Sequence, residues 1–246
     1  MYNRTIMPTE SARDTSKLYL PVAIVAAGAL IAGGLYLGLS SQSAAPAPGG
    51  QPQANVDIKD VSVEGSPYIG DANAKVVLAY WSDYQCPYCK AVEMGHAQIP
   101  IEPALPILIK DYVDTGKLKI VFKDYPFLSE DSTTAALYGR AVWALYPQKY
   151  WEWREAMYKA QDEEHAGFGN EATIVTLMRG ISGIDADRVK ADVAGNRAQY
   201  QALLDADREE GTKFGINGTP GFITGKVLIG GAAEVSSFKS AIDPQL

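Results

Sequence analysis

The sequence predicts an α/β domain whose two strand-forming halves are separated by an all-helical insertion, preceded by one N-terminal transmembrane helix. Three observations carry this. An uncharged run of 22 residues extends from Leu18 to Leu39. Short β-rich segments occur at 75–82 and 118–127 and return at 221–231. Between those groups, from about 129 to 212, the apolar residues recur at helical spacing.

At about 1.5 Å per residue, a helix over 18–39 spans the roughly 30 Å hydrocarbon core of a bilayer. Pro21 falls in its first turn, where proline is tolerated. Signal-peptide apolar regions run to about 7–15 residues, so a retained anchor is expected over a cleaved signal, although SQSAAPAP offers small residues to a peptidase. Arg4, Arg13 and Lys17 precede the run, and the next basic residue is Lys59. The positive-inside rule then makes residues 1–17 cytoplasmic and everything after Leu39 extracytoplasmic, a single-pass arrangement in the cell membrane. Residues 40–55, SSQSAAPAPGGQPQAN, have no charge and no branched aliphatic side chain and read as a flexible linker. Its reach is on the order of 20 Å. Residues 56–246 remain, a length suited to one domain carrying an insertion.

The chain has 22 basic and 29 acidic residues. Setting aside Arg4, Arg13, Lys17, Glu10 and Asp14 leaves 19 and 27, a net of −8. Binding of nucleic acid or anionic lipid through bulk charge is thereby excluded. Cys86 and Cys89 are the only cysteines, so there is no structural disulfide framework. In an oxidising compartment such a pair can form a bond.

KVVLAYWS, 75–82, is an apolar, β-rich run that reads as a buried strand. Asp83 to Gln85 break it, and Pro87 suits the first turn of a helix running to about Met94. Pro100, Pro103 and Pro106 force kinks or restarts. LKIVFKDYPF, 118–127, is a second strand, entered through Gly116 and stopped at Pro126. Ser132 or Thr133 can cap TAALYGRAVWALY, and KYWEWREAMYKAQ carries an aromatic and Met stripe that reads as packing. NEATIVTLMRGIS, DADRVKADVAG and NRAQYQALLDADREEGTKFG read as three further helices, divided by Gly183 and Gly195. After INGTPG, the segments GFIT and VLIGG form a hairpin across Gly225-Lys226, and AEVSSFKSAI closes as a helix.

Cys-x-x-Cys at the start of a helix has a direct chemical use. Free backbone N–H groups and the positive end of the helix dipole stabilise an anion there. Cys86 gains most, so its pKa is expected below the free value of about 8.5. Cys89 lies about one turn further, close enough for a disulfide. Cys86 is then the exposed nucleophile and Cys89 the more buried resolving thiol. A lowered pKa makes Cys86 a good leaving group from a mixed disulfide and makes the disulfide more oxidising, which points to a disulfide donor.

A zinc site wants about four ligands. This chain offers His96 and His165 beside its cysteines, and His96 lies two helical turns past Cys89, so no metal is expected. Thr219-Pro220 can be an ordinary turn in Gly-Thr-Pro-Gly or a cis bond beside the cysteines; only about 5% of X–Pro bonds are cis in folded proteins. The cis form would leave the Thr219 backbone free to pair with an extended peptide. Asp83, Glu93 and Lys123-Asp124 read as solvated charges and stay outside the catalytic set.

VLAYWSDYQCPYCKAVE, IVFKDYPF, AVWALYPQKYWEWREAMYKAQ and FGINGTPGFIT occur in the order and spacing of the DsbA-like thiol:disulfide oxidoreductases. The chain resembles that family from about Tyr68 to Ile242. The resemblance implies a thioredoxin-like fold with a helical domain inserted between its halves. It implies that Cys86 attacks, that Cys89 is its partner, that Pro87 and Tyr88 form the active-site dipeptide, and that Thr219 and Pro220 form a substrate-binding cis-proline loop. No cofactor is implied. The best-known periplasmic oxidase of the family has Pro-His where this chain has Pro87-Tyr88, which removes one positive partner for the thiolate. Threonine precedes the cis-proline in the family's isomerases and in some of its oxidases. About a dozen residues separate linker and domain, so the isomerases' dimerisation domain is not expected and a monomer is.

The expected function is a membrane-anchored, extracytoplasmic enzyme that introduces disulfides into exported proteins with reduced cysteines. A quinone-linked membrane partner, DsbB-like or VKOR-like, would reoxidise it. The alternatives are a reductase or isomerase kept reduced by a membrane electron donor, or a non-enzymatic thioredoxin-like module that binds metal or peptide.

Overall fold

Strand β2 (Val76–Ser82) is the middle of a five-stranded sheet. The structure, a computed structural model, describes residues 56–163 and 166–246. The expected cytoplasmic segment, anchor and linker, and His165, lie outside the described residues. Among the described residues no helix is long and apolar enough to cross a membrane.

β3 (Leu118–Asp124) pairs parallel to β2 along its whole length, from Val76 opposite Leu118 to Ser82 opposite Asp124. β1 (Tyr68–Ile69) runs antiparallel on the outer side of β3. On the other side, β4 (Gly221–Thr224) is antiparallel to β2, and β5 (Val227–Gly230) closes a hairpin on β4 across Gly225-Lys226. The sheet order is β1-β3-β2-β4-β5.

Successive side chains of a strand point to opposite faces. Val76, Leu78 and Tyr80 of β2 therefore enter a large core with Ile120, Phe122 and Phe222, while Ala79 and Trp81 enter a smaller one with Tyr125, Phe214, Ile216 and Ile223. Both faces are covered, which is why β2 reads as a continuous apolar run rather than an alternating one.

Between β2 and β3 lie α1 (Pro87–Met94) and α2 (Ala104–Leu108), the latter continuing as a π-helical turn, Ile109–Val113. Between β3 and β4 the described residues form four α-helices, α3 (Glu130–Leu145), α4 (Tyr150–Ala160), α5 (Glu171–Arg179) and α6 (Ala186–Lys213), with a 3-10 turn, Pro147–Lys149, leading into α4. α7 (Val235–Ile242) follows β5, and its Phe238 meets Phe222 edge to face at 4.8 Å. This is the thioredoxin-like sheet with helices inserted between its halves that the resemblance implies.

Two local expectations are corrected. α3 is capped by Ser129, not by Ser132 or Thr133: Ser129 Oγ accepts from the Ser132 N–H at 3.2 Å. Glu130 and Asp131 then fill the first turn, where negative charge suits the helix dipole. The second correction is that α6 runs unbroken for 28 residues through Gly195. A single helical glycine costs about 1 kcal/mol relative to alanine. Burial of Val193, Tyr200 and Leu204 on one face of the helix outweighs it. Gly183, by contrast, adopts a positive φ of 88° and does interrupt the helices.

Candidate active site

The site forms at the end of the sheet where β2 stops. Cys86 is the N-cap of α1, with an extended backbone (φ −77°, ψ 119°), and Pro87 takes the first helical position, where its missing N–H is no loss. Because β4 runs antiparallel to β2, with Gly221 opposite Trp81, the residues just before β4 arrive at this same end. The Thr219–Pro220 peptide is cis. The Thr219 carbonyl oxygen lies 3.4 Å from the Cys86 Sγ that donates to it. Two motifs more than a hundred residues apart thus become one site.

The two sulfurs differ. The hydrogen bond from Cys89, joined by the backbone N–H groups of Cys89 and Tyr88, lowers the Cys86 thiol to about 7 against the opposing pull of burial. Burial pushes the Cys89 thiol well up, and its closeness to Cys86 adds to that. One expectation is corrected here. Cys86 is only 4% exposed, because the Thr219-Pro220 loop and Gln161 lie against it; Cys89 is 0% exposed, and Tyr88 between them is the exposed member. A recess of about 380 Å³ opens beside Pro87, lined by Gln85, His96, Gln161 and Asp162 among others.

Of the charges read as solvated, Asp83, Glu93 and Lys123 are in fact buried and Asp124 is half-buried. The Asp83 carboxylate accepts from the Gln85 N–H at 2.8 Å and from the N–H groups of Phe127 and Leu128 at 3.0 and 3.3 Å. It ties the turn before Cys86 to the loop after β3. Glu93 forms a buried ion pair with Arg154 of α4 at 2.5 Å. Arg154 also donates to Ser82 Oγ at 2.9 Å and sits over the Phe122 ring at 4.1 Å. Lys123 bonds Asp207 and Glu210 of α6 at 2.5 and 3.0 Å, while Arg140 of α3 joins Asp124 to Asp207. One signal was available for Glu93: it stands four residues after Cys89, on the same helix face. None identified its partner, which lies 61 residues away.

Among the described residues no group of three or more His, Cys, Asp and Glu side chains could hold a metal ion. His96 accepts from the Gln98 N–H through Nδ1 at 3.2 Å.

A family model described as Thioredoxin matches residues 62–244. The chain belongs to the thioredoxin family. It is 23% identical to the disulfide bond formation protein D of Bacillus subtilis (strain 168) over 185 residues, which cover 75% of this chain and 79% of that one. A probable disulfide bond formation protein D of Bacillus anthracis is 24% identical over 180 residues, covering 72% of this chain and 77% of its own. Among solved structures, oxidised BdbD from Bacillus subtilis superposes with a TM-score of 0.66 at 23% identity, over 75% of this chain and 94% of that chain. The thiol-disulfide exchange protein alpha-DsbA2 from Wolbachia pipientis gives 0.61 at 26% identity, over 74% and 87%. This thioredoxin-family chain is DsbA-like and is a thiol:disulfide oxidoreductase.

Proposed function

We propose that this oxidoreductase donates disulfides to exported proteins from a CPYC pair, Cys86 and Cys89, with the Thr219-Pro220 loop receiving the substrate chain. The observation that carries the reading is the asymmetry of the two thiols, one lowered to about 7 and one raised by burial. In the oxidised protein a substrate thiolate attacks Cys86 Sγ and breaks the Cys86–Cys89 bond. Cys89 leaves with the electron pair and takes a proton, because its buried site disfavours the thiolate. A second substrate thiolate then attacks the substrate sulfur of the mixed disulfide and releases Cys86, whose low pKa makes it the better leaving group. The substrate loses two electrons and two protons; the enzyme gains them as a dithiol.

Return to the disulfide requires an external oxidant of the same two electrons. A quinone-linked membrane protein, DsbB-like or VKOR-like, fits an enzyme held at the membrane by residues 18–39 with 56–246 outside. Support for that placement is the uncharged run and its basic N-terminal flank.

The test is the reduction potential of the pair, equilibrated against glutathione buffers. A donor has a value well above the roughly −270 mV of thioredoxin. A value near or below it would make this chain a reductase and its partner an electron source.

A further inference from the structure

Gln161 follows α4 directly, in the inserted helices, and is buried. Its side-chain amide has two protons, and both reach the active-site turn: Nε2 donates to the Tyr84 carbonyl at 2.7 Å and to the Cys86 carbonyl at 3.1 Å. The Cys86 carbonyl also accepts the first bonds of α1, from the N–H groups of Cys89 and Lys90 at 3.1 and 3.2 Å. Among the described residues no other group donates to the Tyr84 carbonyl. A second tie returns from the helix, as Lys90 Nζ donates to the Gln161 carbonyl at 2.8 Å.

We infer that Gln161 is a positioning residue for the attacking thiol: it holds the Tyr84 and Cys86 carbonyls so that Cys86 Sγ stays beside the Thr219 carbonyl and the first N–H groups of α1. This rests on the reading of Cys86 as the attacking sulfur. Helix N–H groups stabilise a thiolate only within hydrogen-bond reach, and that reach is set by the backbone of the capping residue. With its protons given to the two carbonyls, Gln161 acts through that backbone and not on the sulfur. The titratable and charged groups facing the turn are Cys89 and Lys90 on α1, Asp83 and Tyr84 in the turn itself, and Asp162 beside Gln161. From α4 come Tyr158 and Arg154, which donate to the Asp83 carbonyl at 3.3 Å and to the Tyr84 hydroxyl at 3.2 Å. Among the described residues none of them donates a side-chain proton to the Tyr84 or Cys86 carbonyl.

The experiment is a titration of Cys86 by thiolate absorbance in the reduced chain, together with the pH profile of its exchange rate, for wild type, Gln161→Met and Gln161→Glu. Methionine keeps length and removes both donors; glutamate removes them and adds a charge that repels both carbonyls. The expected result is a midpoint raised toward the free-thiol value of about 8.5. A rise of about one unit lowers the thiolate fraction at pH 7 about fivefold, with the rate recovering at high pH. Folded variants with unchanged midpoints would make Gln161 a packing residue and overturn the inference. If neither variant folds, the wild-type Gln161 side-chain amide decides by NMR. Slow exchange and a shift that follows the Cys86 midpoint support positioning, and no response overturns it. Failure of the wild type itself to show a thiol titrating near 7 would overturn the assignment of Cys86, independently of Gln161.

Discussion

Arg154 donates through both Nε and Nη2 to the single oxygen Oε1 of Glu93, at 2.9 and 2.5 Å. The pair places a guanidinium from the inserted helices beneath the helix that carries Cys86 and Cys89. Four aromatic rings, those of Tyr80, Tyr84, Phe122 and Tyr158, surround that guanidinium within 5.3 Å.

Arg154→Met should therefore destabilise the fold by about 3–5 kcal/mol, the usual result of leaving one partner of a buried pair alone. Burial already raises the Glu93 carboxyl, and Arg154 opposes that rise. A carboxyl raised in the folded state loses stability as pH increases through its folded pKa. Without Arg154 the rise is larger, so the loss grows from acid to neutral pH. Urea unfolding of the variant at both ends of that range checks this; an equal loss at both would sink it.

The reduced protein should itself be pH-dependent through Cys86. Its thiol is lowered in the folded state, so the stabilisation is complete above the free-thiol pKa of about 8.5 and is lost as pH falls through about 7. Between those values the reduced chain should gain on the order of 2 kcal/mol. Above them the raised Cys89 acts in the opposite sense. Urea midpoints of reduced wild type and Cys86→Ala measure the effect, and equal slopes in the two proteins would exclude Cys86 as the source.

Single-cysteine variants should separate the roles of the two sulfurs. In Cys89→Ser the remaining Cys86 thiolate should take up one glutathione from its disulfide and release the other, and the mixed disulfide should persist because no second thiol can displace it. Cys86→Ser leaves only a fully buried thiol with a raised pKa and should react far more slowly. Intact-mass analysis follows both. Comparable rates would mean that the two sulfurs are not differentiated.

Gly211→Ala tests the packing of the insertion on the sheet. A Cβ there would lie 2.9 Å from Cδ1 and Nε1 of Trp81 and 3.2 Å from Tyr125. Trp81 cannot yield easily, because it is fully buried and its Nε1 donates to the Asp207 carbonyl at 2.9 Å. Overpacking of this kind costs about 1–3 kcal/mol, and the helix propensity that alanine gains over glycine within α6 returns about 1 kcal/mol of it, which leaves a net loss of up to about 2 kcal/mol. Thermal unfolding should show the loss while the reduction potential stays unchanged.

Much of this was legible because it is local. The apolar run 75–82, the proline after Cys86, the two-residue turn at Gly225-Lys226 and the helical character of the inserted segment follow from periodicity and turn chemistry over a few residues. Structure departs from local pattern where a distant contact overrules a local tendency. Gly195 predicts a helix end, and the helix continues because Val193, Tyr200 and Leu204 bury one face. Asp83, Glu93 and Lys123 carry the local pattern of solvated charges, and they are buried against partners supplied by other elements.

The sequence by itself determined the Cys-x-x-Cys spacing of Cys86 and Cys89, its place at a helix start and the strand–insertion–strand order, since each depends on neighbours a few positions apart. Only the tertiary structure decided that Thr219 meets Cys86, that Gln161 grips the turn and that Arg154 reaches Glu93. Antiparallel pairing of β4 on β2 and the docking of α4 create those contacts, and spacing along the chain carries no record of a contact made across the fold.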